Sequence, residues 1–279
     1  MTVKPEALPP AMAQEPATGS RRGLISVSIF VVASLLLAAI AFLPAMPTDV
    51  APFVLAIGPL VIALAIAAWE GNDALGRLMR TLTKIPDNVL WFLAVAVPIA
   101  WALTVVIVAI VTGAPAEGLF DGVGLSSLLV LLVVLVPAFA EELAWRGFAV
   151  PRLLPYMSPL VAALVLAVPW TILHLPLMLV PGSINEEAAV LPAVLALFSY
   201  SVILTWIFVG SGGSVLLTGL VHAGLNGVVP LFQNLDPDTA WLWRAIVAAV
   251  IAVLVVLFTD VRRRRSAAQS TDSLGVAEA

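Results

Sequence analysis

The stretch Leu125–Ala149, LSSLLVLLVVLVPAFAEELAWRGFA, decides how this chain folds. Its first part, Leu125 to Ala140, carries no charged group, and it then runs directly into Glu141, Glu142 and Arg146. At 1.5 Å rise per residue the whole stretch is long enough as a helix to cross the roughly 30 Å hydrocarbon core of a bilayer. Runs of similar length cover about 24–43, 50–69, 89–112, 158–180, 191–210, 214–233 and 241–259. The expected fold is therefore all-α and polytopic, with eight transmembrane helices.

Composition points the same way. Apolar residues make up 62% of the 279 positions and charged residues only 11%, with a mean hydropathy of +1.11. Soluble domains carry about 25% charged residues, so lipid has to solvate most of this surface. The run from Leu24 is too long for the ~7–15-residue apolar core of a signal peptide and reads as an uncleaved first span. Residues 1–20 read as a disordered polar tail, residues 21–260 as the transmembrane domain, and residues 261–279 as a basic, disordered tail. There is no cysteine, which excludes disulfides and thiolate metal sites.

The basic residues set an orientation. An N-terminus-in topology puts Lys4, Arg21, Arg22, Arg77, Arg80, Lys84, Arg146, Arg152 and Arg262 to Arg265 at or near the cytoplasmic face, leaving only Arg244 elsewhere. The opposite loops carry Asp49, Glu117, Asp121, Glu186, Glu187, Asp236 and Asp238 and no Lys or Arg. Lys/Arg bias is the established signal of orientation. Both termini are expected in the cytoplasm of a bacterial cell, with the protein in the plasma membrane. Leu75 to Leu82 reads either as an amphipathic surface helix or as a solvated loop.

Ionisable groups inside spans are costly and mark function by default. Span four holds Glu141, Glu142 and Arg146. Spans five and seven hold the two histidines of the chain, His174 and His222, and span seven adds Asn226. Glu142 and Arg146 are four apart and share a helix face, so they are expected to pair as a structural clamp. Glu141 projects about 140° away from Arg146 and is free for chemistry. His222 and Asn226 also share a face, beside a small-residue stripe of Gly219, Ala223 and Gly227 that permits close helix approach. Pro137 and Pro169 favour kinks near these groups.

Two imidazoles, a carboxylate and an amide make a hydrolytic set. Glu141 can act as general base on a water shared with His174, while His222 and Asn226 can donate to a developing oxyanion. The same Glu141, His174 and His222 match a catalytic zinc set with an open position, although the His-Glu-x-x-His signature is absent. A proton- or ion-coupled transporter would also use intramembrane Glu, His and Arg, but no inverted repeat with interrupted helices accompanies them. A non-catalytic membrane scaffold is the third reading. The helical rise puts Glu141 in the inner half of the membrane and His174 deeper, so either the helices are offset or span five begins later than residue 158.

Glu141-Glu142-x-x-x-Arg146, Trp170-x-x-x-His174 and His222-x-x-x-Asn226, in this order, resemble the three motifs of the CPBP (or Abi) family. That family comprises type-two CAAX prenyl proteases and bacteriocin-processing enzymes. The resemblance covers about 125–235 and departs from the family at Trp170, where phenylalanine is common. It implies an eight-helix intramembrane endopeptidase of glutamate or metal type, with Glu141 and His174 activating water and His222 and Asn226 holding the oxyanion. The implied partners are a hydrophobic or lipidated peptide and membrane lipids. No nucleic-acid partner is expected.

Overall fold

The computed structural model describes residues 21–43, 46–115, 117–118, 120–121, 124–186 and 188–277. The tail 1–20, with Lys4, and the loop residue Glu187 lie outside these. The elements are α1 (Arg21–Ala41), α2 (Ala51–Glu70), α3 (Asn72–Thr83), α4 (Val97–Val111), α5 (Leu125–Glu142), α6 (Pro159–His174), α7 (Val190–Gly210), α8 (Val215–Gly227) and α9 (Pro237–Ala277). Eight helical stretches among the described residues are long and apolar enough to cross a membrane, from Arg21–Ala41 to Pro237–Thr259. The chain is an all-α polytopic membrane protein, as its hydropathy required. Val32, Leu36, Val61, Leu132, Val136 and Val253 are exposed along the outside of the bundle, a surface that only lipid can cover.

Several spans, the third, fourth and fifth among them, differ in detail from a uniform α-helix. The third opens as a 3₁₀ stretch, Val89–Ala96, before α4 begins with a proline in its first turn. The fourth loosens into a π-helical segment, Leu143–Ala149, directly after Glu142. The fifth ends its α-helix at His174 and resumes as one turn, Pro176–Leu179. Pro176 has no N–H to donate to the preceding turn, although Leu175 itself keeps helical backbone at φ −57° and ψ −39°. The last helix continues past its membrane-length portion to Ala277, where the sequence reading ended helix near residue 259.

Small residues set how closely the central helices approach. A Cβ placed on Gly219 would come within 2.8 Å of the Phe139 ring, and one on Gly227 within 2.6 Å of Leu131. The Gly219–Gly227 stripe thus lies against α5, and α8 packs on α5 over its length. Bare backbone there removes the space that a side chain would need.

The polar end of the bundle is stitched by specific bonds. Arg152 donates to Glu70 at 2.5 Å, and Ser26 donates to the other Glu70 oxygen at 2.5 Å, joining α1, α2 and the end of span four. The segment 75–82 falls within α3, which tucks Ala74 and Leu78 inward. Leu78 and Thr81 reach Gly147 of the π segment. Lys84, just after α3, donates through Nζ to the Gly212 carbonyl, while Ser214 Oγ donates to the Lys84 carbonyl at 2.5 Å. Gly212 and Gly213 take φ of +74° and +95°, a region that favours glycine. They form the tight turn between α7 and α8.

Candidate active site

Glu141, Glu142, Arg146 and His222 are all buried, with Glu142 fully so. Arg146 Nη1 donates to Glu142 Oε1 at 2.8 Å, the pair that the spacing of four predicts. The same Oε1 lies 2.9 Å from His222 Nδ1. A carboxylate oxygen accepts, so Nδ1 carries the hydrogen and Nε2 faces away from Glu142. Glu142 therefore clamps α8 as well as its own helix. That second contact spans residues eighty positions apart, and no local pattern encodes it.

Glu141 points elsewhere, as its angular offset predicts. Its Oε2 accepts a 2.6 Å hydrogen bond from the indole N–H of Trp170 on α6. Trp170 is almost fully buried and stands at the centre of the cluster. The His174 ring meets it edge-on at 5.1 Å between centroids, the His222 ring at 5.8 Å, and the Arg146 guanidinium lies 4.8 Å from its centroid. His174 Nδ1 lies 2.8 Å from the Trp170 carbonyl. A carbonyl can only accept, so Nδ1 is the N–H and Nε2 keeps its lone pair in the neutral ring.

This answers the depth mismatch in the sequence reading. α6 begins at Pro159, with the Ser158 hydroxyl capping its first turn, so a misplaced boundary is not the reason. The side chain that meets Glu141 is Trp170, one turn before His174. In the sequence position 170 stands out only as a departure from phenylalanine, and the N–H that separates the two residues is the available signal.

Asn226 lies one turn beyond His222 on α8, half-buried, and its amide takes no hydrogen-bond partner among the described residues. Glu142 Oε2 and Thr171 Oγ1 are buried without partners. An open apolar groove of about 380 Å³ is lined by Ile57, Leu60, Leu82, Leu135, Val136, Phe139, Ala140 and Leu143, and by none of the polar side chains of the cluster. Ala140 and Leu143 flank the two glutamates in sequence.

The zinc set weighed from the sequence does not gather. Among the described residues no three His, Asp or Glu side chains stand close enough to hold one metal ion. One oxygen of Glu141 accepts the Trp170 N–H, and His222 Nδ1 faces Glu142. No step is routed through a metal.

The fold and this buried cluster define a polytopic α-helical membrane protein with an intramembrane polar centre built from spans four, five and seven. Residues 122–228, which contain all three motifs, match the family model described as type II CAAX prenyl endopeptidase Rce1-like. The chain is also similar to CAAX prenyl protease 2 of Methanococcus maripaludis, at 29% identity over 103 residues. That match covers 35% of this chain and 38% of the relative's length.

Proposed function

We propose that this chain is an intramembrane endopeptidase that hydrolyses a peptide bond in a hydrophobic or lipidated substrate. The observation that carries the reading is Trp170, which links Glu141, His174 and His222 in one buried cluster. The open apolar groove that reaches Ala140 and Leu143, the sequence neighbours of the glutamates, supports a greasy substrate. The Rce1-like match supports a protease of the CAAX type.

The chemistry follows from the hydrogen bonds. Trp170 holds one oxygen of Glu141 and leaves the other to take a proton from water. The lone pair on His174 Nε2 accepts a hydrogen bond from the same water and aims it. The water oxygen bonds to the substrate carbonyl carbon, and the carbonyl oxygen becomes an oxyanion. Asn226 donates to that oxyanion through its amide. His222 donates through Nε2–H when its ring carries both protons, and Glu142 then offsets the added charge. In that state Glu141, Glu142, Arg146 and His222 sum to zero charge. Collapse of the intermediate breaks the C–N bond, and Glu141 returns its proton to the leaving amine. Donors to an oxyanion in a water-poor site are each worth about 10²–10³ in rate.

Glu142 and Arg146 position His222 and do not touch substrate in this scheme. The Lys/Arg distribution supports cytoplasmic termini in a plasma membrane. The test is cleavage of a hydrophobic quenched peptide by purified protein in liposomes. E141A and H174A are expected to abolish cleavage while eluting as folded monodisperse protein. Normal cleavage by both variants would refute the assignment.

A further inference from the structure

Arg244 is the basic side chain that the orientation pattern leaves unexplained. It sits in α9, seven residues after Pro237, or about 10 Å along the helix axis. Arg146 has Glu142 and Arg152 has Glu70, but Arg244 has no carboxylate within ion-pair distance among the described residues. An arginine at membrane depth calls for a named counter-group.

Its surroundings are aromatic. The guanidinium lies 3.9 Å from the Trp241 ring centroid, 5.4 Å from Phe232 and 5.9 Å from Trp101. The Trp101 N–H donates to the Arg244 carbonyl at 3.3 Å, fixing α9 against α4. Tyr200 on α7 lies near enough for its hydroxyl to couple electrostatically to the guanidinium. No hydrogen bond of good geometry joins them, and both the Tyr200 hydroxyl and Arg244 Nε are buried without a partner. The rest of Arg244 is only partly buried. Ring faces stabilise a cation, but they supply no acceptor for its N–H groups. Buried donors left unpaired are costly, and an anion at the open edge of the box would remove that cost.

We propose that Arg244, with Tyr200 and the surrounding rings, seats the phosphodiester of a membrane phospholipid at the Pro237 end of the bundle. Guanidinium forks match phosphate oxygens in a bidentate geometry. Tryptophan and tyrosine favour the headgroup level of a bilayer. The seat is built from α4, α7, α9 and the 3₁₀ turn Val229–Phe232, and it uses none of the residues assigned to the peptidase reaction.

The full chain, delipidated in detergent, is examined by native mass spectrometry and thermal unfolding. The probes are phosphatidylglycerol, phosphatidylcholine, diacylglycerol and inorganic phosphate. Both phospholipids are expected to bind in one tightly held copy and raise the melting temperature, because they share the phosphodiester. Diacylglycerol and inorganic phosphate are expected to do neither. R244Q and R244K should lose that copy, with affinity reduced about tenfold or more. Y200F, which keeps the guanidinium and the ring, should weaken binding measurably even if R244Q fails to fold. Equal retention of lipid by wild type, R244K and Y200F would overturn the proposal. So would equal stabilisation by diacylglycerol, and an effect of inorganic phosphate alone would overturn the lipid assignment.

Discussion

Replacing Trp170 with phenylalanine removes one N–H and keeps an aromatic ring at the same place on α6. In the wild type that N–H donates to Glu141 Oε2 at 2.6 Å, and the indole is almost fully buried. Hydrogen bonds to charged groups contribute about 1.5–3 kcal/mol. If that energy holds the carboxylate in its reactive orientation, its loss lowers kcat by about 10- to 150-fold, at one decade per ~1.4 kcal/mol. KM should change little, because the substrate does not contact the indole N–H. The assay is steady-state cleavage of a hydrophobic quenched peptide in liposomes, with thermal unfolding measured in parallel. The smaller ring also costs packing, which lowers the melting temperature without by itself altering the kcat of the folded fraction. A W170F enzyme with kcat within twofold of wild type, beside an inactive E141A, would refute the positioning role of the indole.

Other outcomes follow from the same contacts. E142A leaves Arg146 and His222 buried without their shared acceptor, and breaking a buried pair costs about 3–5 kcal/mol; detergent-purified yield and melting temperature should both fall sharply. G227L drives a side chain into Leu131, where a Cβ alone would stand 2.6 Å away; the expected result is loss of folded protein, read by size-exclusion profile, whereas an intact profile with full activity would contradict the close approach of α8 and α5. Dialysis against a strong chelator should leave peptide cleavage within about twofold of the untreated enzyme, since the donors are not gathered for an ion; loss that is restored by added zinc would contradict this. Asp236 accepts from the Thr239 backbone N–H and hydroxyl at 2.9 Å each, and these bonds hold its carboxyl below the ordinary value of 3.8. A lowered folded-state value means that its contribution is present above the unfolded value and is lost as pH falls through the folded one; a carboxyl titration by isotope-edited infrared spectroscopy should find Asp236 ionised where exposed carboxyls are half-protonated.

The number of spans was legible because each is a long run without charge, and hydropathy at that length has few other readings. The Glu142–Arg146 pair was legible because a spacing of four is a local property. The Gly219, Ala223 and Gly227 stripe announced close packing, though not that Phe139 and Leu131 would be the neighbours. What escaped the sequence reading depends on contacts between helices. His222 reaches Glu142 only because α8 lies against α5. Trp170 reaches Glu141 only because α6 presents its indole edge there. The π segment after Glu142 also went unread, since 3.6-residue periodicity was assumed throughout span four. Such segments recur at functional sites, and this one begins at the residue following the paired glutamates.

The clasp between Lys84 and the Gly212–Ser214 turn fixes where α8 starts. A helix that begins one residue later turns by about 100° and slides by about 1.5 Å. An added or deleted residue in that short turn would thus swing the imidazole and the amide of α8 away from the glutamates, although both side chains would still be present. Length at this corner works as a gauge for the register of a distant centre. Insertions should be tolerated between α4 and α5 far better than between α7 and α8.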